Sequence, residues 1–244
     1  MRKKYKYVFN ICFSKEGSKA VNFLNNLKNY IKKNDKVFCI VDKKTNIKTK
    51  SILIKYCAKN INYTYINVKT SKSFAETKLE ALKKSKNFNY IFDLDGNNAH
   101  NPKYIKYFQK SIENNNYDAV CSTRFKYGGG YNANNQYGRF IISFFGGKIA
   151  NFILRKNYTD ITGGYICFNN KIRNHILRTR IYSKAHFYHV ELKNIISMYN
   201  FTEIPIVYKK SETKLSKFSV FFSLINLFKV FFDNLFKKNI INSS

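Results

Sequence analysis

Acidic side chains are scarce in this chain. Fourteen Asp and Glu face 44 Lys and Arg across 244 residues, a formal charge of +30. Such a balance attracts polyanions: nucleic acid, anionic lipid headgroups or phosphorylated substrates. The wealth of Lys, Asn, Ile, Tyr and Phe beside little Pro, Gly, Ala and no Trp also fits the bias of an AT-rich genome, so charge alone selects none of these partners. No cysteines are spaced CxxC, and the five (Cys12, Cys39, Cys57, Cys121, Cys167) are odd in number, several inside apolar runs. They read as reduced core residues on the cytoplasmic side, against a disulfide frame or a zinc site. No apolar run reaches the roughly 18 residues of a membrane span. The basic start, Met1 to Tyr7, precedes an apolar stretch only one strand long, so no signal peptide is expected. Disorder is excluded by what is present: 44% hydrophobic and 17% aromatic residues can bury a sizeable core. The length suits one α/β domain, placed at residues 1–216, with a tail at 217–244.

Short apolar runs alternate with helical patterns through the first hundred residues. Strands are expected at Lys6 to Phe13, Lys36 to Val41, Tyr63 to Val68 and Asn89 to Leu94, and helices at Lys19 to Lys32, Thr49 to Asn60 and Ser73 to Ser85. This alternation predicts a mostly parallel, doubly wound sheet, whose ligands bind at the carboxyl ends of the strands. Beyond it, a helix is expected from Pro102 to Asn114 and a strand from Asp118 to Thr123. A flexible loop should then run from Gly128 to about Gln136, before an apolar helix from Phe140 to Leu154. Later expectations are a strand at Tyr165 to Phe168, a helix at Val190 to Tyr199 and a strand at Glu203 to Tyr208.

The sharpest chemical feature is Asp93-Leu94-Asp95 at the end of the fourth strand. Residues i and i+2 of a strand face one side, so both carboxylates should reach one hard cation and its bound phosphates. Mg²⁺ or Mn²⁺ prefers such oxygen ligands and offsets the charge on a departing nucleotide diphosphate. His186 and His189 lack a partner at metal spacing and read as structural.

The stretch from Asp93 to Pro102 resembles the acidic motif of family 2 glycosyltransferases with the GT-A fold, and more narrowly of polyprenol-phosphate (dolichol-phosphate) mannosyl- and glucosyltransferases. Ser122-Thr123-Arg124-Phe125, the Gly128–Gly130 loop, Arg139 before Ile142-Ser143, Asp160-Ile161-Thr162-Gly163-Gly164-Tyr165, Glu191, Glu203 to Ile206 and Ser216-Lys217 follow in the family's order. The resemblance spans roughly Tyr7 to Lys217. It implies an inverting, metal-dependent transfer of mannose or glucose from GDP-mannose or UDP-glucose to a polyprenyl phosphate. Asp93 and Asp95 would meet metal and diphosphate. Asp42, Asn97 and Glu16 would face the donor, Arg124, Arg139, Lys217 and Ser143 a phosphate, and Asp160 and Glu191 the sugar pocket or the acceptor loop. A phosphate acceptor is already ionised at neutral pH and needs no general base. The chain departs from the family at Ile166, where an Arg is usual, at Lys210 or Ser211, where another is usual, and in the acids around Glu16 and Asp42.

From Lys217 to Lys238, Phe218, Phe221, Phe222, Ile225, Phe228, Phe232 and Phe236 form a wide apolar helical stripe. It suits an amphipathic helix on a bilayer, on the enzyme's own domain or on a membrane-anchoring subunit. The expected protein is peripheral at the cytoplasmic face of a membrane. The rival readings are a family 2 enzyme acting on a glycan hydroxyl, an inactive sugar-nucleotide binder, and a basic nucleic-acid-binding protein. No RNA-binding motif favours the last, so no nucleic-acid partner is expected.

Overall fold

The four apolar runs of the first half become neighbouring parallel strands in the computed structural model, which describes residues 6–71, 73–97, 99–132, 137–209 and 217–241. The order is β1 (Tyr7–Cys12), α1 (Lys19–Lys28), β2 (Lys36–Asp42), α2 (Ile47–Ala58), β3 (Tyr63–Val68), α3 (Phe74–Lys84) and β4 (Tyr90–Asp95). A 3-10 turn (Pro102–Tyr104) leads into α4 (Ile105–Asn115), then β5 (Ala119–Thr123), β6 (Gly130–Asn132) and α5 (Tyr137–Leu154). The chain continues through β7 (Ile166–Asn169), α6 (Asn170–Arg178), α7 (Tyr188–Ile196), β8 (Phe201–Pro205), β9 (Val207–Lys209) and α8 (Lys217–Ile241). Side-chain oxygens of Asn46, Ser73 and Asn169 accept from the first turns of α2, α3 and α6, fixing where each helix starts.

The main sheet has seven strands in the order β3-β2-β1-β4-β7-β5-β8. Strand β7 runs antiparallel to β4 and β5, and every other pairing is parallel. Both faces are covered, which is why the strands read as continuous apolar runs rather than alternating ones. Val8, Ile40 and Ile91 face one core layer with α3, α6, α7 and α8, while Phe9, Ile11 and Phe92 face the other with α1 and α4.

Two features depart from the expected pattern. The run from Glu203 to Tyr208 is not one strand: β8 ends at Pro205, and β9 leaves the main sheet to pair with β6. Part of the glycine loop is therefore a strand, threaded close to β5. A Cβ on Gly129 would lie 3.0 Å from the Thr123 carbonyl, so the approach needs glycine there. Helix α6 was not expected, because only Ile172 and Ile176 mark its buried stripe among polar residues.

Helices α5 and α8 pack on one another beside the carboxyl ends of the strands. Among the described residues, no helix is long and apolar enough to cross a membrane.

Candidate active site

Helix α3 places Lys78 on the same stripe as Ala75, Ala81 and Leu82, so its ammonium enters the protein beneath β4. Nζ pairs with Asp93 Oδ1, and donates to the Leu94 carbonyl and to Asp95 Oδ1, each at 3.3 Å. The Phe74 ring lies 5.2 Å away. Lys78 and Asp93 side chains are each 1% exposed, against 17% for Asp95. The sequence placed both acids on one divalent cation; the structure instead seats a protein cation between them. Asp93 is sealed behind it, and only Asp95 opens on a cavity. The signal for Lys78 was present: a single charge in the middle of an apolar helical stripe. The neighbouring carboxylates overcome burial and hold Lys78 protonated. Burial raises the Asp95 carboxyl, but the opposing groups around it, Lys78 first among them, keep it ionised well below the usual range.

The cavity is about 230 Å³ and has two kinds of wall. Its polar end carries Asp95, Asn97, His100, Arg124, His186 and His189. Its other end is apolar: Ile142 and Ile149 from α5, Val190 from α7, and Val220, Leu224 and Leu227 from α8. Ser143 joins the lining from α5. His100 Nδ1 accepts from the Asp95 amide at 3.1 Å, and burial pushes its pKa down to about 4, so the imidazole is neutral at pH 7. His189 is buried and likewise held neutral, with no hydrogen-bond partner for Nδ1 among the described residues. Its closeness depends on Gly164, where a Cβ would stand 2.7 Å from Nε2. His186 and His189 are thus on the wall of the site. Sequence spacing could not reveal this, since Asp95 and Gly164 are distant in the chain.

Arg124, at the end of β5, grips Asp160 with a bidentate fork, Nε to Oδ2 at 2.6 Å and Nη2 to Oδ1 at 2.8 Å. Nη2 also reaches Thr162, and Nη1 the Tyr131 hydroxyl. Burial pushes the Asp160 carboxyl up, but Arg124 wins and holds it at about 2. Four guanidinium N–H groups are therefore spent inside the fold. The guanidinium expected to meet a phosphate thus spends its fork on Asp160, the acid expected to shape the sugar pocket or to order the acceptor loop. The pair braces the turn that bears Gly163 and Gly164, and Arg124 borders the cavity with its charge matched by Asp160.

Glu191, expected to shape the sugar pocket or to order the acceptor loop, lies in the first turn of α7. It does not line this cavity. Its carboxylate accepts from the Tyr182 and Ser183 amides at 2.7 and 3.0 Å, tying down the segment that carries His186 and Phe187. Burial pushes its pKa up to about 7 against those two bonds. Asp42 folds onto its own turn, accepting from Lys44 and Thr45 amides, while Glu16 accepts from the Ser14 amide. A bond from the Asn46 amide to the Ser14 carbonyl links these two turns, and neither acid lines the cavity. Asn97 does, with Oδ1 held by the Ala99 amide. The side chains of Arg139 and Lys217, and residues 210 to 216, lie outside the described residues. Among the described residues, no three His, Cys, Asp or Glu are placed to hold a metal by themselves.

A mostly parallel sheet with one reversed strand, an acidic β4 end and a cleft over the strand ends defines a GT-A-type nucleotide-sugar transferase fold. The model of glycosyl transferase family 2 matches residues 10–177, and the chain belongs to that family. Among solved structures it is similar to glucosyl-3-phosphoglycerate synthase from Mycobacterium tuberculosis in complex with Mn²⁺, UDP and phosphoglyceric acid. The TM-score is 0.63 at 9% identity, over 92% of this chain and 78% of that one. The same synthase with Mn²⁺, UDP-glucose and glycerol 3-phosphate gives 0.60 at 8% identity, over 92% and 80%. A mycobacterial protein gives 0.58 at 9% identity, over 89% and 70%. At such identities the likeness is one of fold.

Proposed function

We propose that this protein moves a hexose from a nucleotide-diphosphate sugar to a polyprenyl phosphate at a membrane surface, inverting the anomeric centre. The observation that carries the reading is the continuity of the cavity. The ionised Asp95 and the Arg124–Asp160 pair lie at its polar end, and apolar side chains of α5 and α8 line the rest of the same cavity. A lipid phosphate needs that pairing, whereas a small polar acceptor such as phosphoglycerate would leave the apolar end empty.

The outer faces of the same helices support docking on a bilayer. Ile141, Phe145 and Phe152 on α5, and Phe221, Phe228 and Phe232 on α8, are all at least half exposed. Contiguous exposed apolar surface of this kind suits an interfacial helix pair, and the excess of Lys suits anionic headgroups.

A divalent ion fits the polar end as a one-carboxylate site, where Asp95 would hold it with diphosphate oxygens. Mg²⁺ or Mn²⁺ bound there would offset charge on the leaving diphosphate. The chain's own residues position and exclude water. Lys78 orients Asp95, Arg124 and Asp160 brace the Gly163-Gly164 turn, and the α5–α8 wall keeps the acceptor phosphate dry, so that its ionised oxygen attacks in line. A second reading, transfer to a glycan hydroxyl, needs a general base, and burial holds the two histidines His100 and His189 on this wall below the range of an effective one.

The test is transfer of labelled glucose or mannose from UDP-glucose or GDP-mannose, with Mn²⁺, to undecaprenyl phosphate in detergent. Label is expected in the organic phase. Transfer to a soluble glycan or phosphoglycerate, and none to the lipid, would overturn the lipid acceptor.

A further inference from the structure

The two acids of the strand end are not equivalent, and the difference has a consequence for metal binding. The Lys78 ammonium has three N–H donors and meets three acceptors: Asp93 Oδ1, the Leu94 carbonyl and Asp95 Oδ1. It has no donor left for a ligand, so it acts through its neighbours. Asp93 is off the cavity wall, and its second oxygen, buried, has no partner among the described residues. Two bare carboxylates would make a doubly negative seat for a cation. With Lys78 between them the cluster carries a single net negative charge, and a divalent ion approaching Asp95 meets an ammonium 3.3 Å behind it.

We infer that Lys78 is a positioning residue: Asp93 anchors its ammonium, and the ammonium in turn orients Asp95 and lowers the negative charge around it, so that metal affinity depends on the Lys78–Asp93 pair although neither side chain touches the ion. This rests on the donor site proposed above. Removing Asp93 alone should be worse than removing Asp93 and Lys78 together. In the single variant the freed ammonium turns onto Asp95 and neutralises it, whereas in the double variant Asp95 keeps its charge.

The measurement is Mn²⁺ binding, by loss of the free-ion EPR signal, with and without UDP or GDP, on wild type, Asp93→Asn, Asp93→Asn/Lys78→Met and Asp95→Asn. Melting temperatures without metal check folding. Wild type is expected to bind Mn²⁺ weakly alone, with a dissociation constant above about 1 mM, and far more tightly with nucleotide. Asp93→Asn should weaken the nucleotide-dependent binding about tenfold, and Lys78→Met in that background should restore it to within about threefold. A folded double variant that binds no better than Asp93→Asn would overturn the inference. So would nucleotide-independent binding below about 100 µM on the wild type, a measurement that needs no variant to fold. If Asp95→Asn leaves nucleotide-dependent binding intact, the donor site itself is wrong; if it abolishes binding while the double variant also fails, only the division of roles falls.

Discussion

The cavity's two walls are built on opposite principles. The sheet wall is made of buried charges paired within the protein: Lys78 with Asp93 and Asp95, and Arg124 with Asp160. The helix wall, from α5 and α8, is apolar inside and remains apolar on its exposed outer face. The first wall is expensive to disturb, because its charges are held by partners within the protein in a dry setting. The second has little to lose in folding when an outward Phe is changed, since that side chain is not packed. Substitutions can therefore separate chemistry from docking, and the walls rank the effects.

Asp95→Asn should have the largest effect. Asp95 is the acid of the pair that reaches the cavity, so its loss should cut turnover about 10²–10³-fold, with a smaller cost in stability than loss of Asp93, because Lys78 keeps its closer partner. Steady-state transfer and a thermal melt on one preparation check this. A stable, fully active variant would place the donor elsewhere. Arg124→Met comes next and strikes stability first. It leaves Asp160 buried without its fork, and breaking such a pair costs about 3–5 kcal/mol in denaturant unfolding. Lys at the same position keeps the charge and loses the bidentate geometry, so it should fall between.

Glu191 sets a third, smaller effect. Its carboxyl titrates at about 7 in the fold and near 4.5 in a free chain. The folded state holds the proton more tightly, so its contribution is fully present below about pH 4.5. It is lost as pH rises to about 7 and then stays flat. The wild type should lose on the order of 1–3 kcal/mol across that window relative to Glu191→Gln. Urea unfolding at pH 5, 6 and 7 measures the difference, and parallel curves for the two proteins would contradict it.

Much of the sheet wall was legible in the sequence and the reasons are physical. Central strands buried on both faces read as short apolar runs, so β1, β2 and β4 shift by only a residue or so at their ends, and the edge strand Tyr63–Val68, with alternate positions exposed, falls where expected. Asp93-Leu94-Asp95 stood out because acids rarely interrupt such runs. What could not be read was partnership. Nothing local says that Lys78 reaches across to β4, that Arg124 is consumed by Asp160, or that His189 comes to rest against Gly164. Each contact joins residues made neighbours only by the crossovers of the sheet. The break at Pro205 was hidden for a related reason: one apolar run serves two sheets.

The helix wall offers the smallest effect and the cleanest separation. Phe221 and Phe228 are 60% and 52% exposed, and they point away from the packed residues Leu227 and Val230 that hold α8 on the domain. Replacing both by Asp should change unfolding stability by less than about 0.5 kcal/mol each. The same change places two charges where a bilayer would lie, and adds repulsion from anionic headgroups. Sedimentation with vesicles of phosphatidylglycerol and phosphatidylcholine should show about tenfold weaker binding. Nucleotide binding should be unchanged, because neither Phe lines the cavity. Transfer to a polyprenyl phosphate held in vesicles should fall in step with vesicle binding, while transfer to a short-chain, water-soluble lipid phosphate should not. Equal loss on both acceptors would mean that α8 shapes the site rather than brings it to the membrane, and the contrast between the walls would fail.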